Sequence, residues 1–407
     1  MPLAVTAPLS KPPSRDYGRE VALAHSGIAA RVVLLVLGLY IVSKPYYLLP
    51  SGLPQVADVI LMGGMAFILF LPRPRRSADA RKFIACIVLF CSYAAVVSIG
   101  WTFALMDPRI AVYAAYYAFN LCLMILCLRI GALYPEATFR VIAYAIAFSA
   151  IVQAGTAALT FNAAQFRQIA SFNNPNQLGY WSLLSLCIFW SAASRVKVAW
   201  YIRAPTLASL FYTVAISLSK AAMIAAALLV LLHFLRKPKL IWMALVVVTA
   251  AYLALENSTI AERVTGRLEN IGSQQDDSFY ERGYLRILRY PNYAVIGAGE
   301  GAIYRFDDAE FSDPRYEIHS TFGTILFSYG AVGVAAFAGA IFYLYRMSSI
   351  GNFLYLAPPL LYGLTHQGLR FSFLWLLLSV IAILGRTEPG QIERPFRRRG
   401  GPLPARK

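Results

Sequence analysis

Apolar residues follow one another along this chain in runs of about fifteen to twenty-five, broken by short polar connections. Runs of that length cross ~30 Å of hydrocarbon, where a helix keeps every backbone polar group satisfied within itself. They predict spans near 28–43, 56–71, 83–105, 110–128, 140–160, 176–193, 204–218, 221–235, 239–255, 321–345, 352–367 and 371–385. Several are only about 15 to 17 residues long, so a neighbouring pair is open to being re-entrant or pushed off the membrane normal. The pattern gives an all-α polytopic membrane protein of about twelve transmembrane helices. Its one long stretch that cannot sit in a bilayer is 256–320, with seven basic residues, twelve acidic residues and one of the four histidines. The expected organisation is therefore a tail at 1–27, nine spans over 28–255, the loop at 256–320, three spans over 321–385 and a second tail at 386–407.

Composition agrees with this pattern and charge adds an orientation. The chain is 58% hydrophobic, and its mean hydropathy is +0.57. With both termini inside, the cytoplasmic loops and tails hold 25 lysines and arginines. The short outer loops hold five: Lys44, Arg109, Arg167, Lys220 and Arg370. Basic residues gather on the cytoplasmic side, which puts the 256–320 loop outside. The net charge of +17 is then accounted for by loops beside anionic lipid, and no nucleic-acid role is expected. The tail Arg394-Pro395-Phe396-Arg397-Arg398-Arg399 is expected to be a disordered, lipid-facing anchor. The five cysteines, Cys86, Cys91, Cys122, Cys127 and Cys187, all fall in spans, so they are expected to be buried small apolar residues without disulfides. The polar, Pro-containing start lacks the pattern of a cleaved signal peptide. No internal repeat is evident.

Candidate chemistry lies at the outer side. Ser171-Phe172-Asn173-Asn174-Pro175-Asn176-Gln177-Leu178-Gly179 opens the sixth span. Asn before Pro favours a turn, and Asn176 suits a helix cap; such a polar helix start is able to position a glycan or phosphate. Lys220 stands in an outer turn between two short spans, either snorkelling to headgroups or meeting an anion. In the loop, Arg282, Arg286 and Arg289 follow i, i+4, i+7 spacing, so a helix over 278–290 would carry them on one face. Leu285 and Leu288 would then pack on another. Three guanidinium forks suit a diphosphate; a solvated or headgroup-facing face is the plainer alternative. Gly297-Ala298-Gly299-Glu300-Gly301 lacks the spacing and the Lys-Ser/Thr of a phosphate loop and reads as a tight turn. His319 stands where the chain re-enters the membrane, ahead of Gly330 and Gly333.

Together these residues resemble the bacterial O-antigen ligase and O-antigen/exopolysaccharide polymerase superfamily over about 170–335. A Phe-x-Asn-Pro-Asn-type segment is matched by Phe172 to Asn176, and a Ser-x-Ser-Arg-small element by Ser217-Leu218-Ser219-Lys220-Ala221. Arg282, Pro291, Gly297 and Gly299 match the family's arginine, proline and Gly-x-Gly turn. His319-Ser320 with Gly330 and Gly333 matches its His-Asn/Ser and Gly-x-x-Gly closure. Lys220 departs from the usual arginine, keeping charge but losing the bidentate fork.

The resemblance implies a C-type glycosyltransferase architecture in the bacterial inner membrane, with its active site facing the periplasm. It implies an undecaprenyl diphosphate-linked oligosaccharide as donor, a growing glycan or lipid A core as acceptor, and no cofactor. His319 is then expected to act as general base. Arg282, with Arg286, Arg289 and Lys220, is expected to hold the diphosphate, and Asn174 and Asn176 to assist substrate binding. The outer loops show no Asp-x-Asp or His/Asp cluster, so no metal is expected. A polymerase of repeat units is favoured over a ligase. The rival of a different class, a transporter or flippase, would place its charges at the bilayer midplane and often repeat its halves.

The charge asymmetry yields the first test. A reporter fused at Ser273 should read as extracytoplasmic, and fusions at Ser77 and after Arg399 as cytoplasmic. A cytoplasmic signal at Ser273 would put donor and acceptor on the wrong side for this chemistry.

Overall fold

The computed structural model describes residues 15–50, 53–74, 76–162, 165–235, 265–266, 282–301, 303–306 and 317–386, with side chains of the first helix from Gly27 onward. The expected span at 239–255, the loop at 267–281, the stretch 307–316 and both chain ends lie outside these residues. Among the described residues every regular element is helical. In chain order these are α1 (Arg15–Ser43), α2 (Val56–Met65, extended by a tight turn to Phe70) and α3 (Ala78–Leu105). There follow α4 (Ala111–Leu133), α5 (Pro135–Leu159), α6 (Pro175–Ala193), α7 (Trp200–Ser217) and α8 (Lys220–Leu235). Two short loop helices come next, α9 (Leu285–Arg289) and α10 (Tyr293–Ile296). The chain ends in α11 (Thr321–Met347), α12 (Ile350–Phe353), α13 (Ala357–Gly363) and α14 (Ser372–Arg386).

Among the described residues four helical stretches, Ala78–Leu105, Pro108–Leu133, Pro135–Leu159 and Thr321–Met347, are long and apolar enough to cross a membrane. Their outward side chains are those of a protein solvated by lipid: Val96, Phe103, Phe148 and Phe342 are each more than half exposed. The shorter apolar helices include Val56–Phe70, Lys220–Leu235 and Ser372–Gly385. Helix α1 begins at Arg15, well before the apolar run at 28, and so takes in much of what reads as a polar tail.

Helices α6 and α14 are buried on all sides and form the centre of the bundle. Every residue from Leu178 to Ala192 is buried, as is every residue from Ser372 to Leu384. A helix without a polar face must be surrounded by other helices. Trp181 and Trp375 are both fully enclosed. Some polar residues within these helices bond to neighbours, as Ser182 Oγ does to Thr213 Oγ1 at 2.8 Å and Ser379 Oγ to the Trp375 carbonyl at 2.8 Å.

Helix starts are set by side chains that satisfy free N–H groups. Ser77 caps α3, Asn174 caps α6 and Ser320 caps α11. The cap of α6 is Asn174 and not Asn176. Pro175 has no N–H and a φ already fixed for the first helical position, so the residue before it takes the capping role. The side chain of Asn174 accepts the Asn176 N–H at 2.7 Å.

The connections gather at two ends of the bundle. At one, Tyr47 N–H donates to Ser171 O at 3.1 Å, Thr321 N–H donates to His366 O at 3.1 Å, and Trp101 Nε1 donates to Gly297 O at 3.2 Å. At the other, Arg195 donates to Leu384 O at 3.2 Å and Ser348 Oγ to Ile381 O at 3.5 Å. The first end carries the described parts of the loops expected outside; the second carries loops rich in arginine.

The glycine turn at 297–301 docks onto a break in α11. Gly330 has φ 56° and ψ −160°, which is not helical. Beside this break the carbonyls of Phe327 and Ser328 accept the N–H groups of Ala298 at 2.8 Å and Gly299 at 2.9 Å. A Cβ on Gly330 would lie 2.4 Å from the Val295 carbonyl oxygen, and one on Gly297 would lie 2.4 Å from that of Ser328. The approach is backbone on backbone and excludes any side chain.

Gly330→Ala should therefore lower stability by about 3 kcal/mol or more, from a backbone region tolerated only by glycine plus the clash. Gly155→Ala, where a Cβ meets nothing within 4 Å, should be neutral or stabilising by about 0.5–1 kcal/mol. Thermal unfolding of both variants in detergent micelles checks this, and equal melting temperatures would contradict the break.

Candidate functional site

A cavity of about 930 Å³ opens at the loop-bearing end, near the upper limit of the ~300–1,000 Å³ usual for ligand sites. One side is built from the segment after α1, α2 and α4; the other from the re-entering loop and the connection between α13 and α14. His319, Glu317, Gln367 and Arg370 line the second side.

His319 is positioned by its backbone. Its N–H donates to the Arg282 carbonyl at 3.0 Å, and the Arg282 guanidinium donates to the Thr365 carbonyl. Tyr284 OH likewise donates to the Leu364 carbonyl. Immediately after the histidine, Ser320 caps α11 by accepting Gly323 N–H at 3.1 Å, and its Oγ reaches the Gly363 carbonyl at 3.2 Å. Segments 282–284, 318–320 and 363–366 are thus laced together, and His319 lines the cavity. Burial first, and the Arg282 charge second, hold its pKa below the ordinary histidine value of 6.5. At neutral pH the ring is uncharged and able to take a proton.

Behind this wall stands Glu300, in the middle of the glycine turn and 4% exposed. Its Oε1 accepts the hydroxyls of Tyr117 and Tyr329. Its Oε2 accepts Arg370 Nε at 2.6 Å and Gln367 Nε2 at 3.2 Å. Arg370 reaches further, to Glu317, whose Oε1 also accepts Tyr113 OH at 2.7 Å. Burial is the largest single influence on Arg370 and works against its charge, but Glu300 together with Tyr113 and Tyr117 outweighs it, and the pKa is raised. Nothing in the pattern of the sequence singled out Glu300, Glu317 or Arg370. A glutamate inside a glycine turn, next to a bilayer that makes an unpaired charge costly, was the available signal. The turn is held from the other side by Arg305, stacked over Trp101 at 4.1 Å and Phe306 at 4.7 Å, with its guanidinium donating to the Ala298 carbonyl.

The three loop arginines do not form one face. Helix α9 covers only Leu285–Arg289, because Gly283 adopts φ 72° and turns the chain between Arg282 and the helix; residues 278–281 lie outside the described part. Arg282 sits beside His319. Arg286 is buried at 3% exposure with its guanidinium 5.3 Å from the Phe306 ring. Arg289 is exposed, and so is Leu288. None of the three lines the cavity.

Asn176 and Arg167 form a second group with Tyr362, outside the cavity lining. Asn176 Oδ1 accepts Arg167 at 2.5 Å, and Arg167 Nε donates to the Ser217 carbonyl at 2.9 Å. Tyr362 OH reaches the Asn176 carbonyl at 3.3 Å, and both Arg167 and Arg282 act electrostatically on Tyr362. Lys220 opens α8 just after the left-handed Leu218, half-buried. Arg282 thus belongs to both groups. His366 stacks on Tyr362 at 4.6 Å and its carbonyl accepts two donors from Thr321, a structural arrangement. Cys122, expected to be buried, is exposed on the cavity wall. Among the described residues no three His, Cys, Asp or Glu side chains come together as a metal-binding group. No family model matches the chain, and no curated protein matches it.

Removing one member of a buried ion pair strands the other. Glu300→Ala should cost about 3–5 kcal/mol of stability. Adding Arg370→Met to that variant should cost less than the sum of the two single changes. Unfolding of the two single variants and the double variant measures the coupling; additive losses would mean the pair does not hold the wall.

Proposed function

We propose that this protein is a glycosyltransferase of the inner membrane that transfers a glycan from undecaprenyl diphosphate to a sugar hydroxyl at the outer face. What supports the reading most is His319: an uncharged imidazole on the wall of a large cavity, backbone-tied to an arginine that also belongs to a second cationic group. In the reaction His319 takes the proton of the acceptor hydroxyl while that oxygen forms its bond to the anomeric carbon. The bond from that carbon to the diphosphate oxygen breaks, and its electron pair stays with the diphosphate. Arg282, with Arg167 and Lys220 nearby, stabilises the charge that develops there. Arg286, buried under Phe306, and Arg289, on the outside of α9, have a lesser part than the sequence spacing alone assigns them. The architecture in this reading is that of about twelve spans with the re-entering loop outside.

Purified protein with lipid-linked repeat units alone, and then with core-lipid acceptor added, separates the two forms of the reaction. We favour the polymerase, which lengthens chains in the first mixture; a ligase gives product only in the second.

A base must be neutral, so the rate should fall as pH drops through the His319 pKa, which lies below 6.5. Arg282→Gln removes one cause of that depression and should move the acidic limb to higher pH as well as slow the reaction. Arg282→Lys should leave the limb in place while losing rate with the fork. His319→Ala and His319→Gln should each cost roughly 10²–10⁴-fold. An active Gln variant would reduce His319 to a positioning role, and a dead His366→Ala beside an active His319→Ala would overturn the assignment.

A further inference from the structure

The wall of the cavity supplied by the end of α1, α2 and α4 carries polar groups that the transfer step does not use. Lys44 Nζ lies 2.6 Å from Asp58 Oδ1, with both side chains about nine-tenths buried. Asp58 Oδ2 also accepts the Gln55 N–H at 2.9 Å. The Lys44 ammonium is 5.9 Å from the centres of the Tyr40 and Phe119 rings. Next to Phe119 is Asn120, 1% exposed, whose amide nitrogen and oxygen both lack any partner. Lys44, Asp58 and Asn120 all line the cavity. A buried amide with neither atom satisfied is costly, and such groups in native structures call for a reason.

The chemistry of this wall selects among ligands. Lys44 and Asp58 neutralise one another, so an anion meets a carboxylate there and a cation meets an ammonium. A hydrocarbon leaves Asn120 unsatisfied. A neutral ring bearing several hydroxyls satisfies all three, donating to Asp58, accepting from Lys44, and doing both with the Asn120 amide. Its C–H faces find aromatic surface on Tyr47, Tyr116 and Phe371, which line the same cavity. We propose that Lys44, Asp58 and Asn120 form a sugar-binding subsite that holds a neutral pyranose unit in the cavity shared with His319. As the seat of the acceptor unit it rests on the transferase reading above; as a sugar site it does not.

The test uses the full chain in detergent micelles and ligand-observed saturation-transfer NMR. The probes are the methyl pyranosides of glucose, galactose and rhamnose, with inorganic pyrophosphate as competitor. At least one pyranoside should bind the wild type, and pyrophosphate should not displace it. Asn120→Ala should weaken that binding about threefold to tenfold, the range of one or two neutral hydrogen bonds. Its melting temperature should stay level or rise, since Asn120 has no hydrogen bond within the protein to lose. Asp58→Asn should weaken binding too, but it breaks a buried ion pair, so Asn120→Ala is the deciding variant. Failure of all three probes to bind, equal binding by Asn120→Ala, or displacement by pyrophosphate would each overturn the subsite. Binding that depends on Asn120 in a protein with no transferase activity would leave the subsite standing and sink the transferase reading instead.

Discussion

A carboxylate at 4% exposure beside a lipid-solvated helix bundle is stable only if charge and hydrogen bonds surround it, and Glu300 draws these from three directions. Tyr117 comes from α4, Tyr329 from α11, and Gln367 and Arg370 from the connection before α14. Because burying a charge without partners is so costly, the loop cannot lift away without stranding Glu300 and Arg370 together. The position of the glycine turn, the break at Gly330 and the placement of Arg370 are consequences of this one requirement. The turn in turn packs against Trp101 and Tyr113, where a Cβ on Gly299 or Gly301 would come within 2.8 and 2.5 Å.

That anchor sets the character of the cavity. Arg370 is shared between Glu300 and Glu317, one cation against two carboxylates, so the histidine wall carries no excess of positive charge. On the α2–α4 wall Lys44 and Asp58 pair one to one. Excess positive charge instead lies outside the cavity lining, where Arg167 and Arg282 flank Tyr362 and Lys220 opens α8. In the proposed reaction the diphosphate belongs on the cationic side and neutral sugar in the cavity, with His319 lining the cavity and tied by its backbone to Arg282.

The sequence by itself determined the helical architecture, because apolar runs in lipid have no other way to satisfy their backbones. It also marked the tight turn at 297–301 and the N-terminus of α6, since each follows from local rules about glycine and proline. It pointed to His319 and Arg282 through their spacing. Tertiary structure alone decided which cations work together. The i, i+4, i+7 spacing of Arg282, Arg286 and Arg289 assumes a continuous helix, and a left-handed Gly283 breaks it before the helix begins. The partners of Glu300, the pairing of Lys44 with Asp58 across a 14-residue separation, and the orphaned amide of Asn120 depend on which helices are neighbours. Helix adjacency in a bundle whose members are apolar on every side leaves no periodic trace in the chain, so those residues became legible only once the helices were packed.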